Sequence, residues 1–448
     1  MTRKASRAPF TATRLAMVAP RRNRLTKTLG SGLFPKTEFP GPLAPVTFLH
    51  IIPIEAPCYA VRLGFANCYD LTMAVSKASV YPSESYSVLA EGGNAGLKDG
   101  THGTTYRVAP TGEAGGCRIY FDHAGADVGT ISAGGAQRGL MLGGDGTNVE
   151  NKPRAFTIQW SDFAPCTSIP RADGGKQHLL FVYVTIASSS MVQGAAGVFD
   201  VANADPLAHR GRHFWLGRAA GTGADHADNP TATAYQPWAI APLFAIQYLT
   251  PSMGVQGVLN GDSLTAAPLN DRFSTPMHRA AWDLSSPDLP IEMASMAWGS
   301  TGTAGYEVML RNNMAALRGS FVAYQPISRN DTFNAAGLQL LLAKALANAD
   351  AFRESYGSAA LWNIAGCIPS ADGNPRQMHA FTDMRSRLQA LALSSGVPLI
   401  DAPAVIGQAN SPWLYRAGMS DDDTHPNFAA AETVVPMGTA ALRKLIEP

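Results

Sequence analysis

Charged residues are scarce in this chain, and long apolar runs are missing. Asp, Glu, Lys and Arg make up 15% of the 448 residues, against about 25% in an average globular protein. The 35 basic and 34 acidic side chains balance, so the chain has no global excess of charge that would attract nucleic acid or an acidic membrane. No apolar run approaches the ~20 residues of a membrane-spanning helix. We therefore expect neither a nucleic-acid partner nor a membrane span.

Cysteines are also few, and their spacing is not that of a metal site. The chain has five of them, Cys58, Cys68, Cys117, Cys166 and Cys367. None forms a CxxC pair, and the sequence contains no HExxH motif, so we predict neither a bound metal nor another cofactor. Cys58 and Cys68 either pair across a hairpin in an exported protein or are buried free thiols, and the spacing leaves both interpretations open.

Basic residues are concentrated at the start of the chain. Residues 1–27 carry eight Lys and Arg side chains, and the first acidic residue is Glu38. We interpret residues 1–45 as a basic arm that is solvated or loosely docked, with a targeting or nucleic-acid role as the alternative. The apolar run at 15–19 is too short for the core of a secretory signal. The compartment, cytoplasmic or reached by an unrecognised export route, stays open, as does the oligomeric state.

The length of the chain favours two domains, and the first is rich in predicted strands. Between residues 46 and 252, apolar and polar residues alternate over short stretches such as 61–66, 117–122 and 156–160, and 179–186 is a fuller apolar run. Period-two alternation bounded by turn residues is typical of strands. Many short strands without intervening helices predict an antiparallel β-sandwich over residues 46–252.

The second predicted domain, residues 253–448, alternates strands with helices. We predict strands at 255–260, 290–297, 321–325, 360–365 and 397–400. An apolar stripe at helical spacing predicts a helix around 338–349. Asn374, Pro375 and Gly396 mark the beginning and end of another, and a last helix spans 427–446. This alternation predicts a doubly wound parallel sheet with helices on both faces, so the overall fold class is α/β.

Two short motifs follow the first two strands of this domain. Gly261-Asp262-Ser263-Leu264 places a hydroxyl where open α/β sheets carry their chemistry, although Asp or Ser after a strand is also a common helix cap. Gly299, which follows Trp298, has a backbone N–H that is able to face an oxyanion. An ordinary glycine turn is the alternative for this second motif.

Two further motifs complete the set. Asn330 follows the third strand, and its side-chain amide is a neutral donor for an oxyanion, with an Asx turn as the alternative. Asp422 and His425 precede the last helix. The imidazole can accept a serine proton, and a carboxylate three residues earlier can fix its tautomer. The alternative for this pair is a polar turn with a capping aspartate.

Together, these motifs resemble those of the SGNH (GDSL-type) hydrolase superfamily over residues 255–448. The resemblance implies a flavodoxin-like fold and a catalytic triad of Ser263, His425 and Asp422. It also implies an oxyanion hole formed by the backbone N–H of Ser263, Gly299 and Asn330. One departure is Ser328, which stands where the third motif of the family usually has glycine.

The implied activity is ester hydrolysis through an acyl-enzyme, on short-acyl or acetyl esters of small molecules or carbohydrates. We hypothesise that the substrate contacts Trp298, Trp413, Tyr415 and Arg416, which are otherwise packing residues of loops. Two alternatives belong to different functional classes. One is a non-catalytic glycan-binding protein with a vestigial hydrolase domain, and the other is an acyltransferase that uses the same triad.

Overall fold

The computed structural model describes most of the chain in separate stretches. These are residues 21–29, 45–65, 73–93, 104–112, 115–122, 129–131, 141–142, 148–149, 158–187, 215–219, 235–237, 243–266, 276–297, 302–303, 305–306, 313, 317, 321–328, 335–356, 358–362, 375–423 and 425–447. The fold is mixed α/β, as predicted, with both antiparallel and parallel strand pairs.

The elements follow the chain in two groups. The strands of the first part are β1 (Arg22–Thr28), β2 (Val46–Ile54), β3 (Ala60–Phe65), β4 (Met73–Ser83), β5 (Ser85–Gly93), β6 (Thr104–Thr111), β7 (Cys117–Arg118), β8 (Gly129–Ile131), β9 (Met141–Leu142), β10 (Asn148–Val149), β11 (Gln159–Trp160), β12 (Ala164–Pro165), β13 (His178–Ile186), β14 (Trp215–Ala219) and β15 (Tyr235–Pro237). The later strands are β16 (Leu243–Asn260), β17 (Ile291–Ser295), β18 (Phe321–Tyr324), β19 (Ser358–Trp362), β20 (Leu399–Ile400), β21 (Gly407–Gln408) and β22 (Ser411–Tyr415). The helices are α1 (Ser263–Ala266), α2 (Pro276–Leu284), α3 (Ala335–Tyr356), α4 (Pro375–Ser395), α5 (Pro403–Ile406) and α6 (Phe428–Ile446).

One large sheet of the first part is antiparallel. Its strand order is β5-β6-β15-β14-β2-β13-β4-β7, and β8 pairs with β4. Strands β2 and β13 lie side by side in its middle. Their side chains are buried on both faces almost throughout, because both strands are rich in Val, Ile, Leu and Phe. One of the faces packs in a hydrophobic core with Val61, Leu63, Ile246 and Tyr248 of β3 and β16, which belong to the other large sheet.

Strand β16 connects the antiparallel and the parallel parts of that second sheet. Its first half pairs antiparallel with β3 up to Leu249 and with β1, which pairs once more at Gly254 after a shift of register. Its second half, from Val255, pairs in parallel with β17 and β18. The boundary predicted between residues 252 and 253 thus falls inside one continuous strand of 18 residues. The exposed Pro251 lies in the stretch of β16 between Leu249 and Gly254, where the register with β1 shifts.

The parallel part continues from β16 and β18 through β19 to β20. Val255 and Leu259 of β16 face one core with residues of α2, α4 and α6. Val258 faces a second core together with Ala349 and Phe352 of α3. Apolar side chains on both faces are expected of a parallel sheet covered by helices, and this sheet brings the carboxyl end of β16 to the site described below.

The described helix ends in this part agree with the sequence-based predictions, and the predicted cap residue Asn374 lies outside the described residues. The last helix has Asn427 as its N-cap, whose side chain accepts a hydrogen bond from the N–H of Ala430. Helix α4 begins at Pro375 and is followed by Gly396, which has φ of +68°, a conformation that favours glycine. No helix among the described residues is long and apolar enough to span a membrane.

Part of the predicted basic arm is a buried strand. Residues Arg22–Thr28 form β1, and Leu25 and Lys27 are almost completely buried. A solvated arm is therefore the wrong interpretation for these residues, because hydrogen bonding to β16 and apolar packing outweigh the cost of burying a lysine that is paired. Residues 1–20 lie outside the described residues.

A buried ionic cluster anchors β1 to both parts of the chain. The ammonium of Lys27 lies 3.3 Å from Glu292 Oε1 and 3.9 Å from Glu55 Oε1. The hydroxyl of Tyr248 donates to Glu292 (2.8 Å), and the amide of Gln177 donates to Glu55 (2.6 Å). Burial raises the pKa of Glu55 to about 7, although Lys27 opposes the shift. Burial also raises the pKa of Glu292, against the opposing effects of Lys27 and of the hydrogen bond from Tyr248.

Three described cysteines are free thiols. Cys58 and Cys166 are buried, and Cys117 is half-buried. The thiol of Cys58 donates to the backbone carbonyl of Cys166 at 3.3 Å. The interpretation of Cys58 as a buried free thiol thus agrees with the structure, whereas Cys68 lies outside the described residues.

Candidate active site

Ser263 is the first residue of α1, directly after β16 and a two-residue turn. Gly261 is required in this turn, because a Cβ there would lie 2.2 Å from Thr265 Oγ1 and 2.7 Å from its Cβ. The side chain of Asp262 accepts a hydrogen bond from Leu264 N (2.9 Å), and its carbonyl accepts one from Thr265 N (3.1 Å). The capping interpretation of the motif therefore holds for Asp262, and this cap leaves the half-buried Ser263 hydroxyl available.

The imidazole of His425 reaches Ser263 from 162 residues further along the chain. Its Nε2 lies 3.1 Å from Ser263 Oγ. Its Nδ1 lies 2.7 Å from Asp422 Oδ2, and the backbone N–H of His425 donates to Asp422 Oδ1, also at 2.7 Å. Ser420 donates to the backbone carbonyl of His425 and closes the loop. The loop thus holds the ring and the backbone of the histidine at once.

This arrangement defines which nitrogen of His425 is basic. A carboxylate can only accept a hydrogen bond, so Nδ1 carries the proton and Nε2 presents its lone pair to the serine hydroxyl. A base within about 3 Å of a hydroxyl, with a carboxylate behind it, is the arrangement that activates a serine as a nucleophile. The exposed fractions of the His425 and Asp422 side chains are 24% and 38%, so a ligand can approach the array from solvent.

The structure separates Asp422 from its two acidic neighbours. Asp421 accepts a hydrogen bond from the side chain of Asn427 at 2.9 Å. Asp423 has φ of +55° in an exposed turn. Only Asp422 contacts both the ring and the backbone of His425, which agrees with the spacing used to select it from the sequence.

The other predicted site residues are placed only in part. Trp298, Gly299 and Asn330 lie outside the described residues. Trp413 and Tyr415 are half-buried in β22 and pack against the core that includes α2 and α6. Arg416 is exposed, and its backbone N–H donates to Ile406. For the two aromatic residues, the packing role proposed as the alternative is therefore present in the structure.

A group of buried polar residues lies behind Ser263, and the sequence motifs do not reveal it. The motifs indicate Asp262 only as a helix cap and Ser328 only as a departure from a family pattern, and no motif includes Gln325 or Thr303. All four are at most 1% exposed. Their one detectable signal is position, since Gln325 and Ser328 directly follow β18 at the edge where Ser263 lies. Among the described residues, no group of His, Cys, Asp and Glu is arranged to hold a metal ion.

Comparison with known proteins gives matches only among solved structures. No protein-family model matches the chain, and no curated protein does. A lipolytic protein of the G-D-S-L family from Desulfitobacterium hafniense, described as putative, matches with 12% identity over 42% of this chain and 99% of its own (TM-score 0.34). The esterase EstA from Pseudoalteromonas matches with 16% identity over 43% and 99% (TM-score 0.33).

A third match is a mutant of an acetyl-xylooligosaccharide esterase from Geobacillus. It has 11% identity over 43% of this chain and 94% of its own (TM-score 0.32). Over about 43% of its length, the chain is thus similar to solved GDSL-type acylhydrolases and esterases.

Proposed function

We propose that the chain is a serine ester hydrolase that acts through an acyl-enzyme. The observation that carries the proposal is the continuous array from Asp422 through His425 to the Ser263 hydroxyl, with distances of 2.7 and 3.1 Å. These three side chains come from two segments far apart in sequence, the start of α1 and the loop before α6, whereas a polar turn or a helix cap would need only local contacts. The proposed architecture is a β-sandwich followed by a doubly wound hydrolase domain.

The proposed reaction has two steps. Ser263 attacks the ester carbonyl while His425 Nε2 takes its proton, and the imidazolium then gives that proton to the departing alcohol. Water repeats the attack on the acyl-enzyme with His425 again as base, which releases the acid and restores Ser263. Asp422 keeps the ring oriented and stabilises its cation. Gly299, Asn330 and the N–H of Ser263 are the proposed oxyanion donors, each worth about 10²–10³ in rate.

The proposed substrates are short-acyl or acetyl esters, including those of carbohydrates. The sequence contains no extended apolar segment of the kind that covers a long acyl chain as a lid, which supports this preference. A water acceptor makes the protein a hydrolase, and an alcohol acceptor would make it an acyltransferase, so the assay measures free acid as well as the released alcohol.

Hydrolysis of a p-nitrophenyl ester series tests this proposal. We expect acetate to be cleaved faster than octanoate, with kcat lowered by about 10⁴ or more in Ser263→Ala and in His425→Ala. Ser286→Ala is the matched control, because the Ser286 hydroxyl accepts a hydrogen bond from Leu289 N in the turn after α2, and this variant should keep full activity. A folded wild-type protein without esterase activity would favour a binding protein, and faster cleavage of octanoate would refute the short-acyl preference.

A further inference from the structure

A buried carboxylate lies directly behind the proposed nucleophile. The side chain of Asp262 is completely buried. Its Oδ1 accepts a hydrogen bond from Leu264 N, and its Oδ2 accepts from Gln325 Nε2 (3.0 Å) and Ser328 Oγ (2.6 Å). The shortest of these contacts is in the range of charge-assisted hydrogen bonds between a hydroxyl and a carboxylate. Asp262 therefore joins the turn on both sides of Ser263 to the segment after β18.

Ser328 connects this turn to a third segment of the chain. Its backbone N–H donates to Thr303 Oγ1 at 2.8 Å. The carbonyl of Thr303 accepts from the side chain of Asn348 in α3 at 3.1 Å. Both Ser328 and Thr303 are completely buried, so water cannot replace these contacts. One serine thus fixes the relative positions of the segments that follow β16, β17 and β18.

Gln325 strengthens the same connection. Its Nε2 donates to the backbone carbonyl of Ile327 as well as to Asp262, and its Oε1 accepts from the hydroxyl of Thr265 at 3.2 Å. The amide thereby contacts Asp262 and Thr265, which lie on either side of Ser263. It also stabilises the loop that leads to Ser328. The loop and the turn are consequently linked by two separate side chains.

We propose that Ser328 is a positioning residue for Ser263, acting through the carboxylate of Asp262. This inference rests on the proposed function. Its hydroxyl orients Asp262, and Asp262 sets the direction of the turn that presents both the Oγ and the backbone N–H of Ser263. Reacting groups have to be held within about 0.5 Å of their productive geometry, and a displacement of about 1 Å can cost about 10²-fold in rate.

Removal of the hydroxyl should slow acylation without weakening substrate binding. In Ser328→Ala, Asp262 Oδ2 loses the shorter of its hydrogen bonds from Ser328 and Gln325, and the turn that carries Ser263 is held less firmly. We expect fluorophosphonate labelling of Ser263 and kcat for p-nitrophenyl acetate to fall about 10- to 100-fold, with KM within about twofold of wild type. A merely structural role would lower the thermal midpoint while leaving both rates unchanged below that temperature.

The matched control is Ser285→Ala, because Ser285 is also buried and its hydroxyl accepts from Ile291 N. It should lose stability but keep the wild-type labelling rate. If Ser328→Ala does not fold, Thr303→Val takes its place, since it removes the partner of the Ser328 N–H with little change of shape. Several-fold slower labelling is then expected.

Labelling at the wild-type rate in folded Ser328→Ala, or in Thr303→Val where that variant takes its place, would overturn the positioning role while the proposed hydrolase function stands. Absence of label on wild-type Ser263 would overturn both.

Discussion

At the scale of single residues, the site depends on which of three consecutive aspartates faces His425. Asp422 places one carboxylate oxygen on the ring and the other on the backbone N–H of the histidine. Asp421 is engaged by Asn427, and Asp423 adopts a left-handed conformation at the tip of the turn. The three aspartates are consecutive in sequence, yet their expected contributions to catalysis differ by orders of magnitude.

Substitution of these aspartates gives a direct comparison. Asp422→Ala should lower kcat by about 10²–10⁴, because the imidazole loses the group that fixes its tautomer and stabilises its cation. Asp423→Asn is the control, since asparagine tolerates positive φ, and its kcat should stay within about threefold of wild type. Steady-state hydrolysis of p-nitrophenyl acetate measures both. A larger loss in Asp423→Asn than in Asp422→Ala would show that the triad carboxylate is assigned incorrectly.

At the scale of elements, β16 and β1 determine how the parts of the molecule join. Period-two patterns predict strands up to residue 252, and a short apolar run predicts a separate strand at 255–260, with the expected domain boundary between them. Strand β16 nevertheless continues, because Pro251 lies where the register between β1 and β16 shifts, and such an irregularity tolerates a residue without a backbone N–H. The sequence does not predict strand β1. Its Arg and Lys residues indicate solvent exposure, and only the tertiary structure supplies the carboxyls that accept Lys27.

The ionic cluster around Lys27 predicts a pH-dependent stability. Glu55 has a pKa of about 7 in the folded protein against an ordinary value of 4.5, so the folded state binds the proton more tightly than the unfolded state. Its contribution to stability is complete below about pH 4.5 and is lost as the pH rises through about 7. The loss is on the order of 3 kcal/mol, from about 1.4 kcal/mol per pKa unit.

The variant Glu55→Gln isolates this effect. Denaturant unfolding of wild type and variant between pH 4.5 and 8 should show the variant gaining relative stability as the pH rises, because glutamine has no buried charge to develop. Asp288→Asn removes an exposed carboxyl in the turn after α2. The pH dependence of its stability should be the same as that of wild type. A stability difference between wild type and Glu55→Gln that is independent of pH would contradict the assigned protonation.

At the scale of the whole molecule, one hydrophobic core crosses the boundary expected between the two domains. Ile158, Phe244 and Ala245 from the first part pack with Val258 and Tyr324 from the second. The order of the motifs and the alternation of strands and helices allowed the sequence to predict the mixed fold and the residues brought together at Ser263. They could not predict the shared core or the Asp262–Ser328 contact, because both depend on partners distant in sequence.

The shared core predicts that residues 253–448 do not fold alone. A fragment starting there lacks the first half of β16, loses the packing of Phe244 and Ala245, and leaves the buried Glu292 without Lys27. Breaking a buried ion pair in this way costs about 3–5 kcal/mol, a large part of the 5–15 kcal/mol that typically stabilises a protein. Circular dichroism and thermal melting of fragment and full chain test the prediction. A soluble fragment with a cooperative transition at the full-length temperature would show two independent domains.

The most direct test of the central claim is covalent labelling of the full chain with a fluorophosphonate, followed by peptide mapping. Such a reagent reacts with a serine whose proton is taken by a neighbouring base. We expect one label per chain, on the peptide that contains Ser263, no label in Ser263→Ala, and strongly slowed labelling in His425→Ala. A folded wild-type protein that stays unlabelled, or that carries its label on another residue, would contradict the assignment of Ser263 as the nucleophile.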